Sequence, residues 1–116
     1  MEAKFKHGNP TFVRYKRGTA IVAGEVIIVG DLIMIAHNEA AANEEIALSV
    51  GPGVYESTTT GILAVGIRCD WDDTANELVA KDAGDVPIGY MNPVTASAAA
   101  GKSEWLFQQA TIDLIV

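Results

Sequence analysis

The chain holds a single cysteine, Cys69, among 116 residues. One thiol closes no internal disulfide and supplies no thiolate cage for a metal, so the fold must stand on its packed core. Cys69 sits inside Gly66-Ile67-Arg68-Cys69-Asp70-Trp71, where it reads as strand filler rather than as a reactive thiol. Histidine is nearly as scarce. His7 and His37 lie in separate polar segments, too few and too far apart for a zinc site, and each reads as a surface residue. No G-x-S-x-G elbow offers a nucleophile, so nothing in the chain reads as catalytic. No apolar run approaches the ~20 residues of a membrane helix, and Met1-Glu2-Ala3-Lys4-Phe5-Lys6 is no apolar leader. We therefore expect no membrane partner, and a protein made and kept soluble in the cytoplasm, at least at first.

Basic residues are scarce after residue 17. Lys4, Lys6, Arg14, Lys16 and Arg17 precede Gly18, opposed there by Glu2 alone. The rest of the chain sets fourteen acids against Arg68, Lys81 and Lys102. The net charge of −7 belongs to an acidic body, which repels phosphate backbones and argues against nucleic-acid binding. The five leading cations are the candidate contact residues, suited to a neighbouring subunit or an acidic shell. The competing reading is a first strand with its charges in water. Residues 1–17 are thus expected to form a basic arm or first strand, and residues 18–116 a single β-rich domain, which this length and a 49% hydrophobic content support.

What the chain does have is short apolar runs cut by Gly, Pro, Asn and Asp, the pattern of strands and turns. Thr11 to Lys16 alternates as a half-buried strand does. Val22-Ala23-Gly24-Glu25 reads as a turn. Val26-Ile27-Ile28-Val29 and Leu32-Ile33-Met34-Ile35-Ala36 flank Gly30-Asp31, which predicts a tight hairpin. His37 to Glu45 reads as a loop or one short helical turn. Strands follow at Ile46–Val50, from Val54, at Ile67–Trp71, from Glu77, and at Val86–Met91, where Pro87 demands an edge or a bulge. Ser57-Thr58-Thr59-Thr60-Gly61 reads as a loop, Asp72 to Asn76 as a turn, and Pro93 to Ser103 as a small-residue loop. In the last run Trp105, Phe107, Gln109 and Thr111 share one face, and Ile112, Leu114 and Val116 the other. The expected fold is all-β, a small barrel or sandwich of about eight short strands with at most one short helix.

Two motifs imitate chemistry. Ala96-Ser97-Ala98-Ala99-Ala100-Gly101-Lys102-Ser103 fits a relaxed phosphate loop, but such a loop opens a helix, and here a strand-like run ends the chain. Asp70-Trp71-Asp72-Asp73 is acidic, yet it lacks the glycine and closing glutamate of a calcium loop and reads as a hairpin turn. No cofactor and no metal are expected. The aromatics read as core, since Trp71 beside three aspartates would repel a nucleic-acid strand.

The order of segments carries a resemblance. Ala23-Gly24-Glu25-Val26-Ile27-Ile28-Val29-Gly30-Asp31-Leu32, then Gly53-Val54-Tyr55-Glu56, then Asp70-Trp71-Asp72-Asp73-Thr74-Ala75-Asn76, then Pro87-Ile88-Gly89-Tyr90 resemble, in order, a phage family known as domain of unknown function 2190. The likeness runs from about Val22 onward. The heavier basic leading segment and the longer loop from Pro93 to Ser103 depart from the family. The resemblance implies a capsid decoration or cement protein on the phage head surface, a homo-oligomer, commonly a trimer, with the major capsid protein as partner. A head–tail joining or tail component, from phage or prophage, is the alternative. Some members carry a RecA/RadA-type recombinase label, which the acidic balance and the missing nucleotide pocket oppose.

Overall fold

The computed structural model describes residues 3–59, 63–80, 86–91 and 101–109. These form ten strands, with no helix among them: β1 Lys4–His7, β2 Phe12–Lys16, β3 Val26–Val29, β4 Leu32–Ile35, β5 Glu45–Ser49, β6 Gly53–Thr59, β7 Arg68–Asp72, β8 Glu77–Ala80, β9 Val86–Met91 and β10 Gly101–Phe107. The all-β expectation holds, and the segment expected as a loop or helical turn is a loop up to Glu44, with Ala40 bridging Ile21 and Glu45 opening β5.

Six strands make one sheet in the order β1-β6-β10-β9-β7-β8, and four make a second in the order β2-β5-β4-β3. In the larger sheet β6 also meets β8 through Thr59 and Leu78, in parallel. Pairings therefore run β6-β10-β9-β7-β8 and back to β6. β10 takes one edge of β6 along its whole length. β1 and β8 must share the other edge, β1 against Val54–Glu56 and β8 against Thr59.

The β3–β4 hairpin is the hinge of the packing. Gly30 supplies the positive φ of its two-residue turn, at 61°. Val26, Ile33 and Ile35 point into a core shared with the larger sheet, and Ile28 packs against it. Ile27, Met34 and Ala36 point the opposite way, into a second core with Leu48 and the inner faces of β2 and β5. A hairpin buried on both faces must be apolar at every position, which is why this stretch reads as an unbroken run rather than an alternation. Each such side chain contributes about 1.5–3 kcal/mol on burial.

The first core is aromatic. Tyr55, Trp71, Trp105 and Phe107 are all buried. On β10 the inward Trp105 and Phe107 flank an outward Leu106, the predicted period of two. The expected bulge at Pro87 is present: Cys69 pairs Gly89 and Asp70 pairs Pro87, leaving Ile88 extra. The edge alternative fails, because β9 lies between β10 and β7. The proposed Asp72–Asn76 turn also forms, with Asp72 Oδ1 accepting the N–H groups of Thr74 and Ala75 and Asn76 at φ 59°.

The Ser57–Thr59 segment is not a loop. It continues β6, with Ser57 and Thr59 turned inward and buried. Its packing logic is polar: Ser57 Oγ accepts the buried indole N–H of Trp105 at 2.9 Å. Gly101, Lys102 and Ser103 likewise belong to a strand, paired with Thr59, Thr58 and Ser57. The rest of that expected loop, and Ile112, Leu114 and Val116, lie outside the described residues.

Candidate functional site

The two sheets meet at a seam built from a histidine, a tyrosine and a serine. Tyr55 on β6 donates its phenolic proton to Ser49 Oγ on β5 at 2.7 Å, and the Gly51 N–H reaches the same oxygen at 3.2 Å. His37 Nε2 stands 2.7 Å from the Tyr55 oxygen. Since Tyr55 has one proton and spends it on Ser49, Nε2 is the donor, which fixes the imidazole as the Nε2–H tautomer. The His37 ring stacks on Phe5 at 4.5 Å and meets Phe12 edge-on at 5.1 Å. Desolvation lowers the His37 pKa and raises that of Tyr55, the latter opposed in part by the Ser49 hydrogen bond. Both groups are therefore neutral at neutral pH. Ser49 and Tyr55 are fully buried, so no substrate reaches either oxygen. The trio acts as a polar lock between sheets, and His37 is a half-buried part of it rather than a plain surface residue. Sequence spacing gave no sign of it, because its members come from three different segments.

The five leading cations fall into two groups. Lys4 and Lys6 are exposed on β1, and Arg14 and Lys16 on β2, where the half-exposed Phe12 joins them on one face. Arg14 reaches Glu45 Oε1 at 3.3 Å, but both side chains are largely in water, so the pair adds little. Arg17 turns inward. Its guanidinium donates to both carboxylate oxygens of Glu25, at 2.7 and 3.1 Å, and to the Ala20 carbonyl at 2.5 Å. The Glu25 hydrogen bond raises the Arg17 pKa. Partial burial works against the Glu25 carboxylate, but the Arg17 hydrogen bond, the Val22 N–H and the Arg17 charge outweigh it and leave its pKa lowered. Arg17 thus clamps the end of β2 to the start of β3.

Cys69 is fully buried, and desolvation, with the charge of Asp70 next, pushes its pKa up to about 12. It is a neutral thiol facing Gly89, as expected of strand filler. Among the described residues no cluster of three or more His, Cys, Asp or Glu side chains is placed to hold a metal. Nor is any described helix long and apolar enough to cross a membrane.

What the described residues display, then, is surface: exposed cations on β1 and on β2, an acidic turn at Asp72 and Asp73, and a cleft of about 560 Å³ between β3 and that turn. No curated protein and no solved structure matches the chain. A family model described as phage cement protein does match, over residues 6–108, from within β1 through the end of β10. The chain belongs to the phage cement protein family.

Proposed function

We propose that this protein decorates the outside of a phage head shell as a homo-trimer and stabilises it by bridging major capsid protein subunits. The observation that carries the reading is the family match across all ten strands, which makes this a structural phage protein with a capsid-stabilising role. The architecture suits that work. Two cores share one hairpin, the polar groups at the seam are satisfied internally, and the reactive side chains are buried. A rigid body with sticky faces is all that a cement needs.

Lys4, Lys6, Arg14 and Lys16 serve as the shell contact, exposed on an otherwise acidic body, with Arg14 held only by a solvent-exposed pair to Glu45, and complement acidic groups on the shell. Arg17 serves the fold. The recombinase reading gains nothing, since the phosphate-loop look-alike ends in a strand.

The test is co-sedimentation of the purified protein with empty shells of its phage, with bound copies counted. Binding in the hundreds per shell supports decoration, whereas about a dozen points to a connector at a single vertex. Reversing Lys4, Lys6, Arg14 and Lys16 to glutamate should weaken binding by about a hundredfold. It should leave the fold intact, because all four side chains are exposed.

A further inference from the structure

Among the described residues, β1, β2 and β3 each pair with another strand on one side only. Exposed edges invite foreign strands unless charge guards them. β1 carries Lys4 and Lys6, and β2 carries Arg14 and Lys16. β3 reads Val-Ile-Ile-Val and carries no charge.

Its free edge is also ready to bond. Val29 and Leu32 flank a two-residue turn, so they exchange backbone hydrogen bonds, and the pairs alternate from there. Val29 and Ile27 face β4, while Val26 and Ile28 turn their N–H and C=O groups the other way. β4 shows the same alternation, since Ile33 aims its backbone away from β3 and meets the Gln109 amide. Among the described residues, no strand and no other backbone group bonds Val26 or Ile28 on that side.

That edge borders the cleft of about 560 Å³. Val26, Ile27 and Ile28 all line it, although their side chains point to alternate faces. Only the edge of a strand presents three consecutive residues to one space. Tyr15, Arg17, Val22, Glu25, Asp73 and Asn76 complete the lining. Arg17 is neutralised by Glu25, so the exposed Asp73 sets the local charge, with Asp72 in the same turn. The space suits about three or four residues of one extended chain, at ~3.3 Å each, and not a second folded sheet.

We propose that this cleft takes an extended, basic segment of the shell subunit, which adds as a strand to β3 and sets a Lys or Arg against Asp73. The proposal rests on the capsid-docking reading and names the contact that would make it. Occupant backbone groups pair with Val26 and Ile28, and the acidic turn selects the charge.

Two variants and one exchange measurement test it. Ile28→Pro removes an edge N–H that β4 does not use, and Asp73→Lys reverses an exposed charge without touching a core. Each should bind empty shells about tenfold more weakly than the parent in co-sedimentation. In hydrogen–deuterium exchange, Val26 and Ile28 amides should exchange fast in the free protein and become protected on shells. If the parent binds shells and both variants bind equally well, with Val26 and Ile28 still unprotected, the cleft assignment falls and the docking reading stands. A parent that ignores shells overturns both. If the variants change only the protein's own mass by light scattering, the occupant is a second copy and the shell assignment is wrong.

Discussion

Among the described glycines, Gly89 has the least room for a side chain. A Cβ built there would lie 1.8 Å from the Leu106 carbonyl oxygen on β10, a backbone atom with no rotamer to move to. Gly89→Ala should therefore cost about 3 kcal/mol or prevent folding, read as the shift of a urea or thermal transition. Opposite it, Cys69 should stay unmodified by iodoacetamide in the native protein at pH 8 and react fully in denaturant; labelling of the folded protein would contradict its burial. His37 gives a pH signature. Its folded pKa is lowered by desolvation, so the unfolded state binds the proton more readily. Stability is full above the unfolded value of about 6.5 and falls as pH drops through the lower folded value. Melting temperatures measured from pH 8 to pH 5 should decline, and His37→Gln should flatten that decline. Little of this was legible in the chain. Cys69 was read correctly because a lone thiol in an apolar strand has few alternatives, whereas the role of His37 depends on Phe5, Phe12 and Tyr55, each brought to it by tertiary packing.

The β3–β4 hairpin was legible because its turn and its runs agree: Gly30-Asp31 needs a positive φ, and eight apolar residues surround it. The Asp72–Asn76 turn and the Pro87 bulge were legible for the same reason, since each residue type has one local solution there. Ser57 to Thr59 misled because polar residues in a strand look like a loop until their partner is known, here Trp105 across the sheet. Gln109 was expected to continue the face of Trp105 and Phe107 but lies past the end of β10, and its role was not visible. Its amide accepts from the Ile33 N–H at 3.2 Å and donates to the Ile33 and Val50 carbonyls at 2.6 and 3.0 Å. β4 and β5 pair only at Ile35 and Ser49, so this side chain stands in for a strand where they part. Gln109→Ala should cost about 2 kcal/mol, because backbone groups of Ile33 and Val50 lose their partner, and exchange at Ile33 should speed up accordingly. A stability within a few tenths of a kcal/mol of the parent would contradict that role.

At the largest scale, the described residues form two sheets with one hairpin between two cores, with Cys69, Ser49 and Tyr55 buried and the leading cations Lys4, Lys6, Arg14 and Lys16 outside. The acidic body with a basic leading segment could be read from composition, but the division of labour within that segment could not. Arg17 differs from Arg14 and Lys16 through the Ala20 carbonyl and above all through Glu25, eight residues away along the chain and brought near by the fold. The family was visible as an ordered set of turns and strands, each weak alone, and the match over residues 6–108 agrees with it as a phage capsid protein. Binding of this protein should stabilise the shell. The direct measurement is the temperature at which empty shells come apart, taken with increasing amounts of this protein. A rise that saturates when the shell is fully decorated is the predicted result. Shells that bind the protein in full and still come apart at the undecorated temperature would contradict it.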